Sequence, residues 1–254
     1  MSDLFRSPIL VGVGSLVAFS LAAAIGYRLR SLRPTEKDNR EDYALVVGGT
    51  LTLVGLIIAF TFSMAVGRYD QRKSYEEQEA NAIGTEYARA DLLPPEMAAQ
   101  VRALLRGYLD QRIQWYTARD AEHLRQIDAE TARLQAEMWA VVATHASTEQ
   151  TPVAALVVAG MNGVLDAQGL TQSAWWNQIP SGAWQLLIAI AVFCNLLIGY
   201  RMHDKSFFFT FVMPLALAIT LFLIADIDAP RNGAIRVRPQ NLESTAASVA
   251  RSGQ

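Results

Sequence analysis

The sequence predicts an all-α integral membrane protein with four transmembrane helices and a helical extramembrane bundle between the second and third. Two observations point there. Only 18% of the 254 residues are charged and 52% are hydrophobic, against roughly 25% charged in soluble domains. The charges are also unevenly spread: four long stretches lack them altogether, and a polar segment lies between the second and third.

The first stretch, 8–27, runs 20 residues without a charge, and the second, 44–67, runs 24. The third is uncharged over 173–200 with its apolar part at 183–200, and the fourth covers 206–225. A helix crossing the hydrocarbon core needs about 20 apolar residues, so all four qualify. Ala22, Ala23 and Ala24 give the first stretch an alternative reading as a cleaved signal. Its length and the positive charges that follow it favour a membrane span. Topology by positive charge is undecided. One side holds Arg28, Arg30, Arg33, Lys37, Arg40, Arg201 and Lys205, and the other Arg6, Arg68, Arg72, Lys73, Arg231, Arg236 and Arg238, seven each.

The extramembrane segment, 68–182, has ten basic and fifteen acidic residues. The second helix meets no breaker at Gly67, so it projects out of the bilayer until Pro94 and Pro95 stop it. Met97, Val101, Leu104 and Tyr108 then form one amphipathic stripe. Leu124, Ile127, Thr131, Leu134, Met138 and Val141 form another. Such stripes need a partner surface, supplied by a bundle's own core or by another subunit. A further helix runs from about 153 to 172, with Asn162 and Asp166 four residues apart on one face. Trp175, Trp176 and Trp184 bracket the start of the third span and read as an interfacial belt, with Tyr27, Tyr69 and Tyr200 at other helix ends. The remainder, 226–254, reads as a tail, polar and mobile from Glu243 onward.

No catalytic constellation stands out. A glycine-rich phosphate loop, a G-x-S-x-G elbow and an H-E-x-x-H helix are all absent from the sequence. Glu76 and Glu77 read as a solvated helix face. One cysteine, Cys194, and three scattered histidines offer no disulfide and no metal spacing. The net charge of −2 argues against nucleic-acid binding. The four spans contain no Asp, Glu, Lys, Arg or His, which disfavours an ion-coupled pump but suits a passive pore. No enzyme activity, cofactor or metal is therefore expected.

The second span carries the functional signal. Gly48, Thr52, Gly55, Ala59 and Ser63 fall within an arc of about 80° at 100° per residue. Gly48, Gly55, Ala59 and Gly67 make a small-residue stripe suited to close helix packing. Thr52, Leu56 and Phe60 form a neighbouring row that, repeated around an axis, would make an apolar ring.

Residues 55–69 (GLIIAFTFSMAVGRY), 79–85 (EANAIGT) and 92–94 (LLP), with Asp226-Ile-Asp-Ala-Pro230 and 233–236 (GAIR), resemble the bestrophin-like domain family of bacterial membrane proteins over roughly residues 43–240. True bestrophins are pentameric anion channels whose second membrane helix lines an apolar neck, followed by an Arg–aromatic pair. Matching that pair to Arg68-Tyr69 implies a neck at Thr52, Leu56 and Phe60, with Ser63 as polar lining and Arg68 at the pore mouth. The resemblance implies a homo-oligomer, a pentamer by analogy, in the bacterial inner membrane, with the lipid bilayer and small anions as its partners. Thr52 stands where bestrophins carry a large apolar residue. Asp226 and Asp228 alone replace their acidic calcium cluster, too few ligands for a calcium site, so calcium gating is not expected. The competing expectation is a non-conducting membrane scaffold or sensor whose helical domain binds a partner, with the small stripe packed inside one subunit.

Overall fold

The computed structural model describes residues 7–32, 40–202 and 207–252; Arg6, Arg33, Lys37 and Lys205 of the topology count lie outside them. Eight α-helices and one short 3-10 turn follow one another among these residues, with no strand: α1 Pro8–Leu32, α2 Arg40–Arg89, the 3-10 turn Ala90–Leu92, α3 Pro95–Thr117, α4 Ala121–Thr148, α5 Pro152–Trp176, α6 Ser181–Arg201, α7 Phe207–Asp228 and α8 Gln240–Ser252. Four segments are long and apolar enough to cross a bilayer, Pro8–Arg30, Asp42–Leu92, Pro152–Arg201 and Phe211–Asp228. The chain divides into two compact units, residues 1–69 with 178–236, and residues 70–177 with 237–254.

The membrane unit is built on α1, which packs against α6 and α7. Glycine decides the first of these contacts. A Cβ on Gly26 would lie 2.0 Å from the Leu196 carbonyl oxygen, and one on Gly199 would lie 2.0 Å from that of Ala23. Backbone meets backbone here because neither residue has a side chain, as small residues permit in membranes. The crossing is fastened at its end. Arg30 Nη1 donates to the carbonyls of Arg201 (2.7 Å) and Tyr200 (3.3 Å), and Tyr43 Oη donates to that of Leu197 (2.7 Å). Tyr200 and Arg201 end α6, where carbonyls have no intrahelical partner. Phe19, Leu187, Ala191, Cys194, Leu221 and Ile224 fill the core, with Val54 and Ala65 from α2.

Trp184 is buried in that core, so it serves packing and not the interfacial belt expected of it. The other end of the unit is closed by carboxylates. Asp228 accepts from the Ile179 backbone N–H (3.1 Å), ahead of α6. Asp226 accepts from the N–H groups of Ala234 (2.7 Å) and Ile235 (2.8 Å). Gly233 lets that loop turn back, since a Cβ there would meet the Asp226 carbonyl oxygen at 2.2 Å.

The helical unit packs α3 on α4, α4 on α5 and α8 on α3. Pro95 and Pro152 each sit in a first turn, where a missing N–H costs nothing. Asp120 and Thr151 cap α4 and α5 by accepting from His123 N (2.8 Å) and Ala154 N (3.1 Å). The α4 stripe is buried at Ile127, Thr131, Leu134 and Met138 and continues through Val142 and His145, with Val141 half-buried. Leu105 is likewise more buried than Leu104 on α3. The tail from Glu243 is not irregular: α8 occupies it, held by buried Leu242 and Val249.

Candidate functional site

Two places concentrate chemistry: the outward face of α2 in the membrane unit and a buried polar centre in the helical unit. On α2 between Thr52 and Gly67, the buried positions are Val54, Thr61 and Ala65, an arc of about 40°. The expected neck row lies on the other side of the helix. Thr52, Leu56, Phe60 and Ser63 are all exposed in the single chain, Leu56 at 52% and Phe60 at 65%. Their mean direction is about 165° around the helix from the buried arc. Gly48, Gly55, Ala59 and Gly67 are exposed too, and a Cβ built at any of the three glycines meets nothing within 4 Å. The stripe therefore does not pack inside one subunit, as the scaffold expectation required. Arg68 is half-buried, and its guanidinium reaches back to Met64 Sδ at 3.6 Å.

The polar centre begins where α2 leaves the membrane unit. Glu76, read from sequence as solvated, is buried; Glu77 beside it is exposed. The Glu76 carboxylate accepts from Asn241 N (2.9 Å), Asn241 Nδ2 (2.6 Å) and Leu242 N (3.0 Å), holding the first turn of α8. Carboxylates are favoured at that end of a helix.

One turn on, Glu79 pairs with Arg112 of α3 and accepts from Thr171 Oγ1 of α5 at 3.0 Å. Both charged side chains are wholly buried. Arg112 also lies 4.6 Å from the centroid of the Trp115 ring. Trp115, Tyr116 and Trp175 close the centre with edge-on ring contacts, centroids 4.5–5.4 Å apart. Trp175 is thus a core residue, whereas Trp176 is 74% exposed. Burial works against the Arg112 charge, but Glu79 outweighs it and keeps the guanidinium above its ordinary range. Burial, reinforced by the Glu79 carboxylate, pushes the Tyr108 and Tyr116 hydroxyls up, so both stay protonated.

Sequence reasoning missed Glu76, Glu79 and Arg112 as core groups. The available signal was helical phase: Arg72, Glu76, Glu79 and Ile83 share one arc of α2. Asn162 and Asp166 are exposed on α5. Among the described residues no group of three or more His, Cys, Asp or Glu side chains is placed to hold a metal ion. Asp226 and Asp228 are engaged with backbone N–H groups instead.

Comparison with known proteins follows the same outline. No curated protein matches the chain in sequence. Solved structures do resemble it: a membrane protein crystallised as a point variant shares 11% identity, with 95% of this chain and 99% of that one covered and a TM-score of 0.68. A bacterial Bestrophin homolog from Klebsiella pneumoniae, also a point variant, shares 14% identity over 97% of this chain and 99% of that one, with a TM-score of 0.65. A further structure of that homolog shares 13% identity over 96% of each chain, with a TM-score of 0.64. At such identities the likeness shows the fold. The family model of the Bestrophin-like domain matches residues 14–242, and with nine-tenths of its length so matched, this all-helical membrane protein belongs to the Bestrophin-like family.

Proposed function

We propose that the chain is the subunit of a homo-oligomeric channel that conducts small anions passively, with α2 of each copy set around a common axis. The observation that carries this reading is the outward face of α2. Thr52, Leu56, Phe60 and Ser63 point away from their own subunit's core, as a pore-lining row must. Leu56 and Phe60 supply an apolar constriction of the kind that gates by dewetting. Thr52 and Ser63 supply hydroxyls, and Arg68 at the mouth raises the local anion concentration. The adjacent stripe of Gly48, Gly55, Ala59 and Gly67 lets α2 helices of neighbouring copies approach closely. The preference for anions, the pentameric state and the bacterial inner membrane come from the resemblance to bestrophins.

The test is chloride flux into liposomes carrying the purified protein, wild type beside Leu56→Ala and Phe60→Ala. Flux in the wild type that rises on truncation, or that first appears on truncation, supports an apolar gate on α2. No flux in any variant, from protein shown to be folded and oligomeric, refutes the pore and leaves a scaffold or sensor.

A further inference from the structure

The mechanism proposed above makes no use of Glu86. This side chain of α2 is fully buried within the helical unit, and neither carboxyl oxygen has a hydrogen-bond partner. It is pressed against the backbone of α5, where a Cβ on Gly160 would stand 1.8 Å from Glu86 Oε2 and 2.4 Å from Arg89 Nη1. Gly160 is itself buried. The contact exists only because that residue is glycine.

The carboxyl has one ion-pair partner. Arg89, one turn along the same helix, approaches Glu86 Oε2 at 3.8 Å, beyond hydrogen-bond range, and is 31% exposed. On α5 no ionisable side chain occurs between Pro152 and Val164, and the first, Asp166, is exposed. Asp91 of the 3-10 turn is paired with Arg102 of α3, whose guanidinium lies over the Tyr87 ring. A buried carboxylate without hydrogen bonds is a costly species; the neutral acid is far cheaper to bury.

We infer that Glu86 is a proton-operated switch between α2 and α5: its neutral carboxyl occupies the closed contact at Gly160, and loss of the proton loosens that contact. The direction of titration agrees. Burial raises the Glu86 pKa from 4.5 to about 7, outweighing the neighbouring Arg89 guanidinium, which pulls it down. The sign follows from linkage. A carboxyl whose pKa is raised in the closed state favours that state most below pH 4.5, and the advantage is lost as pH rises to about 7. Closure is therefore favoured by acid and weakened across the neutral range. The switch stands on the helical unit alone and holds whether or not α2 lines a pore.

The experiment is amide hydrogen exchange of the full-length protein in lipid nanodiscs, followed on peptides covering 81–90 and 153–164. Rates at pH 5.5 and pH 8 are corrected for intrinsic chemistry, and wild type is compared with Glu86→Gln, which mimics the neutral acid. With closed and open pKa values of about 7 and 4.5, the opening equilibrium of the wild type should rise roughly thirtyfold between the two pH values. Glu86→Gln should show no such rise, staying about tenfold more protected than the wild type at pH 5.5 and roughly three-hundredfold more at pH 8. The switch is overturned if the two proteins show the same pH dependence. It is equally overturned if Glu86→Gln is already open at pH 5.5, because a neutral side chain then fails to fill the contact. Chloride flux recorded in parallel separates the two readings: a pH-dependent contact without flux removes the channel and keeps the switch.

Discussion

Removing the Glu79 carboxylate tests the polar centre most directly. In Glu79→Ala, Arg112 keeps its charge and its place, fully buried and packed on Trp115. Its two terminal nitrogens have no hydrogen-bond partner, so the bond from its Nε to Glu79 is its carboxylate pairing. Thr171 loses its acceptor at the same time. Breaking a buried ion pair from one side costs about 3–5 kcal/mol, because an uncompensated charge is left behind. For a chain of this size that corresponds to a fall in Tm of roughly 6–20 °C.

Removing both charges has a different expected outcome. An apolar pair of similar volume, Glu79→Leu with Arg112→Met, should recover most of the loss, since the cost of burying two ions disappears with them. Thermal unfolding in detergent, read by tryptophan fluorescence and arranged as a double-mutant cycle, measures both effects. A cost below about 1 kcal/mol for Glu79→Ala, or strict additivity of the two single changes, would refute the claim that this pair organises the helical unit.

Three further outcomes are expected. Gly199→Val drives a branched side chain into the Ala23 carbonyl, whereas Gly55→Ala meets open space in the single chain. The first should lose about 1–3 kcal/mol or fail to fold, and the second should leave subunit stability unchanged, as expression and thermal unfolding will show. Glu76→Ala removes the acceptor of three α8 contacts, so limited proteolysis should cut near Asn241 while the remaining helices stay protected. Asp226→Ala leaves the Ala234 and Ile235 N–H groups without their acceptor, at about 1–3 kcal/mol; Asp226→Asn should restore part of it in the same assay.

The membrane spans were legible in the sequence because an uncharged run is a one-dimensional property. The α4 stripe was legible for a related reason: Ile127, Thr131, Leu134 and Met138 recur at the helical period. The polar centre was not, because its partners are remote. Glu79 meets Thr171 across 92 positions and Glu76 meets Leu242 across 166, and no local pattern marks such a pairing. Tryptophan misled for a chemical reason, since its ring suits an interface and a core equally. Trp175 and Trp184 took the core, and Trp176 alone remained outside. In the candidate pore row, spacing showed which residues share a face, but in an all-apolar span it could not show which face turns away from the subunit.

The α1–α6 crossing sets a timetable for the chain's own synthesis. Gly26 leaves the ribosome long before Gly199, and the clasp from Arg30 to Tyr200 spans 170 positions. At about 5–20 residues per second the first helix waits roughly ten to thirty seconds for its partner. During that interval its glycine notch stands open to whatever the surrounding membrane offers. The whole intervening helical segment is made before the notch can close. Biogenesis of this protein is therefore most vulnerable at its oldest helix, and a substitution at Gly199 is felt by a segment that had already inserted.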